Sequence, residues 1–255
     1  QTFGADLEAD IVARKGATYL TDPTPGKTVP VFATTDVTGG VELFAGSTSL
    51  GSAGSTYTWA TKPLASVLTG QIFVSDVGVG GSYWYSDGSK WRPVGGRVTL
   101  KNTISPVTNN GAPKVILDYA TLPAGLVADG DLLDVRYHKE RTGGTSDTDA
   151  TDIMHGYELV AGTCVSTGMS TSALATTNIS LTNQCLLRKE SATTLRPLTI
   201  GGGTGLGGST SNYAVVTVSN MNAGQTYLVI TSDLTTAGGE VSVLRGFVVT
   251  LIAGS

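Results

Sequence analysis

The chain has 255 residues, of which only 14% are charged, with a formal net charge of −4 and a pI near 5.1. That balance lacks the basic patch that a nucleic-acid or anionic-membrane surface demands, and no apolar run approaches the ~20 residues of a membrane span. The 38 threonines outnumber all charged residues combined, and 34 glycines accompany them, a composition that favours short strands and turns over helices. No secretory signal opens the chain, and its start at Gln1 without methionine suggests numbering that begins inside a longer or processed product.

Residues 1–30 open with ADLEADIVAR, which sets Leu7, Ile11 and Arg14 on one helical face before Asp22-Pro23-Thr24-Pro25-Gly26 breaks the pattern. A short helix is predicted here, either a stem or attachment segment or a frayed terminal turn. Residues 31–101 carry brief alternating segments (VPVFATT from Val29, then VELFAG, TYTWATK and QIFVSDV) that read as a small β domain. Residues 102–113, with Asn109-Asn110-Gly111, read as a linker, and residues 114–255 as a second, larger β domain.

The densest signal lies in residues 71–94, QIFVSDVGVGGSYWYSDGSKWRPV. Asp87-Gly88 supplies a two-residue type I′ turn, because both tolerate positive φ and the twist of that turn suits a hairpin. Counting outward pairs Tyr85 with Lys90, Trp84 with Trp91 and Tyr83 with Arg92. Alternation then puts Trp84 and Trp91 on one face, as the seed of a small core, and Tyr83, Tyr85, Lys90 and Arg92 on the other, as candidate ligand contacts. Aromatic rings beside hydrogen-bonding groups suit saccharides, whose apolar faces stack while their hydroxyls bond.

In the C-terminal region Leu133, Val135 and Tyr137 alternate with Asp134, Arg136 and His138. Val241, Val243, Phe247, Val249 and Leu251 mark a half-buried last strand interrupted by Arg245, with Leu244, Val248 and Ile252 on its other face. That second apolar face predicts a covering sheet or subunit, and a subunit interface is preferred. Further segments (Val115, Leu117 and Tyr119; Ile179 and Leu181; Leu186 and Leu187; Tyr213, Val215 and Thr217; Tyr227 and Val229) bring the total to seven or eight strands, the number of a jelly roll. The fold expected is all-β: a small N-terminal β domain with its hairpin, then a jelly-roll-like β-sandwich assembled as a homotrimer that covers the exposed edges.

Certain phrases resemble known modules. VSDVG, then SYW, the DG turn and WRPVGGR, are similar to a short module of tailed-bacteriophage tail-fibre and related virion proteins. LPAGLVADGDLLDVR at 122–136, LLRKESATTLR at 186–196, AGQTYLVIT at 223–231 and LRGFVVTLIA at 244–253 resemble the β-sandwich head domain that ends many such fibres. The resemblance covers roughly two thirds of the chain, carries no catalytic signature and implies a virion location.

Chemical motifs fail on their structural requirements. Gly203-Thr204-Gly205-Leu206-Gly207-Gly208 matches G-x-G-x-x-G, but a strand rather than a helix is predicted to follow, so no pyrophosphate site forms. Pro25-Gly26-Lys27-Thr28 lacks the leading glycine of a P-loop, since position 21 is threonine. Asp147, Asp149 and Asp152 are spaced like the start of a calcium loop without its Gly or its closing Glu. Cys164 and Cys185 are expected to be free thiols in a reducing cytoplasm. The two histidines, His138 and His155, fall in neither G-x-S-x-G nor H-E-x-x-H surroundings. Asp118, Asp129, Asp131, Asp134 and Glu140 could serve glycoside hydrolysis only by converging in space.

The expectation is therefore a non-enzymatic virion protein without cofactor or metal, a tail fibre or receptor-binding tip. It would engage a bacterial surface glycan or protein and join other virion proteins through its N-terminal segment, with no nucleic-acid or membrane partner. Loops at 140–152 and 201–212 are further receptor-binding candidates. The alternatives are a capsid decoration or head-fibre protein, and a polysaccharide-modifying esterase or glycosidase.

Overall fold

The computed structural model describes residues 18–20, 31–35, 41–45, 48–53, 56–68, 70–110, 114–142, 149–172, 179–199, 215–234 and 240–254. The predicted helix at 5–14 and the glycine-rich loop at 201–214 lie outside them. The chain divides into two compact units, Gln1–Gly95 and Gly96–Ser255. Both are built from β-strands, with no α-helix among the described residues.

In the first unit, Thr18–Leu20 (β1), Val31–Thr35 (β2), Val41–Ala45 (β3) and Thr48–Ala53 (β4) form an antiparallel meander in chain order. A second sheet runs Thr56–Tyr57 (β5), Gln71–Val74 (β6), Ser82–Ser86 (β7) and Trp91–Pro93 (β8), with β5 parallel to β6 and the remaining pairs antiparallel. Its core gathers all three tryptophans, Trp59, Trp84 and Trp91, with Ile72, Val74 and Val77.

The β7–β8 hairpin forms, but in a different register. Trp84 faces Pro93, Tyr85 faces Arg92 and Ser86 faces Trp91. The tip sits one residue later than predicted, at Gly88-Ser89, closed by Asp87 N–H donating to Lys90 O (3.1 Å). The cause is the Asp87 carboxylate, whose Oδ1 accepts from Ser89 N–H, Ser89 Oγ–H and Lys90 N–H at 2.8–2.9 Å. Gly88 takes the positive φ (92°) that the tip needs. Because side chains alternate with period two, a slip of two residues leaves each on its predicted face.

The second unit comprises Arg97–Thr103 (β9), Val107–Asn109 (β10), Val115–Leu122 (β11), Leu132–Thr142 (β12), Asp149–Gly156 (β13), Val165–Ser172 (β14), Ile179–Ser191 (β15), Thr194–Thr199 (β16), Val216–Thr217 (β17), Thr226–Leu234 (β18) and Val241–Ile252 (β19). One sheet has the order β10-β19-β12-β15-β16-β17, with β9 also on β19; the other has the order β11-β18-β13-β14. Taking β10 to β15, β18 and β19 as eight successive strands, this is the interleaved pair of four-stranded sheets of a jelly roll. β16 and β17 extend one sheet between its last two crossings. Leu133, Val135, Leu187, Leu228, Ile230, Phe247, Val249 and Leu251 are fully buried between the sheets.

Three expectations change. The segment 102–113 contains the end of β9 and all of β10, both paired with β19. It reads as a linker because Asn109 is polar, yet that side chain is buried and donates to Ser232 O and Oγ (3.5 and 3.3 Å). Residues 179–191 are one strand rather than two. Finally, a β-bulge opposite His138/Lys139 reverses the parity of β19. Leu244 and Ser242 therefore join the interior beside Phe247, while Val241 and Val243 turn outward and are half-buried. The outward face therefore carries Val241, Val243, Val248 and Ile252, all half-buried, with Leu244 exchanged to the interior.

Candidate functional site

The small sheet positions its outer face through the packing of its inner one. Trp84 is wholly buried and meets Trp59 edge to face, with ring centroids 4.8 Å apart. Its indole N–H donates to Ser82 Oγ (2.8 Å), which donates in turn to Val77 O (2.6 Å). Trp91 Nε1 donates to Pro63 O (2.8 Å), and Ser86 Oγ to Ala65 O. The Lys62 ammonium lies 3.8 Å from the Trp59 ring centre, and burial lowers its pKa although Asp76 opposes the shift. Every indole N–H named here has a partner, so a site of about forty residues holds a rigid backbone without a large core.

On the outer face, Tyr83 is 61% and Tyr85 42% exposed. Tyr83 leans on Phe73 of the neighbouring strand, with centroids 5.1 Å apart, and Tyr85 stands between Gln71 and Arg92 in the strand order. Lys90 is half-buried beside the tip. Arg92 departs from the outward reading: it is only 9% exposed, and its Nε is 3.2 Å from Asp87 Oδ2. Asp87 is the hub of the turn. Backbone N–H donation from Lys90 and Ser89 holds its carboxyl well below the usual carboxylate range, with Arg92 adding to that effect. The face thus offers two tyrosine rings and Phe73, with an amide at one end and a guanidinium–carboxylate pair at the other.

Phe73, Gln71 and Trp59 were not singled out by sequence reasoning. The alternation of Gln71-Ile72-Phe73-Val74 was the available signal for the first two, while Trp59, in the segment TYTWATK read as alternating strand, sits in a turn beyond the short strand Thr56–Tyr57.

In the jelly roll, the remaining candidates have structural partners. Lys101 pairs with Asp118 (2.9 Å), Lys189 with Asp129 (3.2 Å), Arg136 with Asp134 (2.9 Å) and Arg245 with Glu140 (2.7 Å). Asp131 accepts from Ala128 N–H and Gly254 N–H, tying the 122–131 loop to the end of β19. The five carboxylates therefore have five separate settings. His138 Nε2 is 3.0 Å from Ser180 Oγ on the outer sheet face. His155 is wholly buried, neither ring nitrogen has a hydrogen-bond partner among the described residues, and burial depresses its pKa to about 4.

Of the calcium-like triplet, Asp147 lies outside the described residues. Asp149 is buried against Lys139 Nζ (2.6 Å), and Asp152 binds Lys114 and Ser166. No group of three metal-ligating side chains occurs among the described residues. Both cysteines are free and buried; burial, reinforced by Asp134, pushes the Cys185 thiol up to about 12. The loop candidates at 143–148 and 201–212 lie outside the described residues. Set against protein-family models, curated proteins and solved structures, the chain matches none.

Proposed function

We propose that this chain is a tailed-phage virion protein, a tail fibre or receptor-binding tip that holds a bacterial surface structure without chemically altering it. The carrying observation is the pair of solvent-facing rings, Tyr83 and Tyr85, mounted on a sheet whose other face is locked by three tryptophans. Exposed rings on a rigid support lose little entropy on binding, and Gln71, Lys90 and the Arg92–Asp87 pair supply donors and acceptors around them. The phrase-level resemblance to fibre proteins and the jelly-roll strand order support the same reading. A homotrimer would multiply weak contacts through avidity and cover sheet edges such as β14.

The test is binding of labelled full-length chain to whole bacterial cells and to cells stripped of surface glycan, with purified phage particles as a parallel target. Saturable binding to intact cells, reduced at least tenfold by Tyr83→Ala with Tyr85→Ala, is expected. Binding to fibreless capsids but not to cells would overturn the reading in favour of a decoration protein. Sedimentation of a stable monomer at micromolar concentration would remove the trimer.

A further inference from the structure

The inward row of β12 changes character along its length. Leu133, Val135 and Tyr137 are followed on the same face by Lys139 and Arg141, which are 3% and 2% exposed. Each meets a buried carboxylate: Lys139 Nζ lies 2.6 Å from Asp149 Oδ1, and Arg141 Nη2 lies 3.4 Å from Glu240 Oε1. Lys139 belongs to one sheet and Asp149, at the start of β13, to the other, so the first pair spans the interior of the sandwich. An ion pair in such a place is held at a cost in desolvation that apolar residues of the same size would avoid.

Other lysines keep one partner in water: Lys101 and Lys114 are partly exposed beside Asp118 and Asp152, and Asp129 beside Lys189 is exposed. Among the described residues, Lys139 and Asp149 are the one ammonium–carboxylate pair shut away on both sides. Burial lowers the Lys139 pKa and Arg141 adds to that lowering, while Asp149 and Asp233 oppose it. In a medium that penalises both charges, a proton passing from Nζ to the carboxyl leaves a neutral amine against a neutral carboxylic acid, a nucleophile against its electrophile. Both groups are fixed. Thr151 Oγ accepts from Nζ (2.8 Å), and Ser232 Oγ donates to Asp149 Oδ1 (2.8 Å). Asn109 Nδ2 donates to the same Ser232 oxygen (3.3 Å), which leaves the Ser232 proton directed at Asp149. Asp149 Cγ lies one carbon–oxygen bond beyond Oδ1, so nitrogen and carbon are held in the close, oriented approach that accelerates a reaction within one molecule.

We propose that Lys139 and Asp149 condense to an intramolecular amide that fastens the two sheets of the jelly roll to each other. Nζ attacks Cγ of the protonated carboxyl, and the charge that develops on Oδ1 is stabilised by the Ser232 hydroxyl already donating to it. The Cγ–Oδ2 bond then breaks. The two protons that the ammonium nitrogen gives up depart with Oδ2 as one water, leaving Nζ–H joined to Cγ=Oδ1. No oxidant, metal or second molecule is consumed. The product is neutral, so the reaction also removes two charges from the interior. The Arg141–Glu240 pair does not follow the same course, because a guanidinium stays protonated. This chemistry is independent of what the chain binds.

The test is the intact mass of the full-length chain, denatured for mass spectrometry after the purified protein has been held folded at neutral pH. Wild type should be lighter than its sequence by the mass of one water. Tryptic digestion should leave Lys139 uncut and join residues 137–141 to residues 142–188 through Lys139 and Asp149, as fragmentation of that product reads directly. Lys139→Arg keeps a cation without a nucleophilic amine and should show its full sequence mass. Lys139→Met with Asp149→Leu, which fills the site with apolar side chains and so keeps the fold, should show its full sequence mass too. Wild type at full mass overturns the proposal and leaves the pair an ion pair. A water lost equally from wild type and both variants, or one that fragmentation maps to another residue, such as an imide at Asp87-Gly88 or Asp129-Gly130, overturns it as well.

Discussion

Trp84→Ala should separate core from site in the first unit. The side chain is wholly buried, so its removal forfeits transfer free energy and leaves a cavity, a change that costs about 3–5 kcal/mol for a large aromatic in a core. The edge-to-face contact with Trp59 adds up to ~1 kcal/mol of that figure, and Ser82 Oγ loses the indole donor. Among the described residues the core of this sheet is three tryptophans and a few aliphatics, so few side chains are at hand to repack into the space. Tyr83→Ala, on the other face and 61% exposed, should cost less than ~1 kcal/mol. Urea unfolding followed by tryptophan fluorescence reads the first unit directly, because all three tryptophans lie there. A Trp84→Ala cost no greater than that of Tyr83→Ala, together with lost cell binding, would mean that core and site have been exchanged.

Further outcomes follow from other features. Lys139→Met strands the buried Asp149 carboxylate and should cost the second unit about 3–5 kcal/mol, whereas Lys139→Met with Asp149→Leu should recover most of it, as read by denaturant titration. His155 has a folded pKa near 4 against 6.5 for the free side chain, so the unfolded state binds more protons between those values. Stability is then lost as pH falls from 6.5 toward 4, by about 3 kcal/mol from this group, and His155→Phe should flatten that part of the profile. Gly81→Ala should destabilise the first unit by about 1–3 kcal/mol, since φ is +86° and a Cβ would collide with the Phe73 ring. Native-state alkylation at pH 8 should spare Cys185, whose thiol is buried and protonated, and mass spectrometry after quenching reads the result.

The legibility of the chain followed the range of the interactions that decide each feature. Alternation is local, so the inward Leu133, Val135 and Tyr137 and the two faces of the hairpin could be read directly. The hairpin register could not, because it turned on whether the Asp87 carboxylate would capture the N–H groups of Ser89 and Lys90, which moved the tip by one residue. The bulge in β19 escaped for a similar reason. Arg245 looked like an interruption in one apolar face, when it marks the change from one parity to the other. Asn109 misled because a buried polar residue and a loop residue are identical in a sequence until the partner, Ser232, is known. Exposed tyrosines were legible on the hairpin, whereas the contact of Tyr119 with Tyr227 on the jelly roll was not, because it arises only through the pairing of β11 with β18.

The last strand of the jelly roll is also an inner one: β19 lies between β12 and the β9/β10 pair, with Leu251 opposite both Leu133 and Val98. During synthesis, β9 and β12 must therefore wait, with their paired edges open, until almost the whole unit has left the ribosome. Closure over so long a separation is entropically slow, and open edges of this length are templates for pairing with another chain. The step that completes the fold is thus also the step that competes with association between nascent copies, so expression temperature and chaperone supply should govern soluble yield more strongly than the stability of the finished sandwich does.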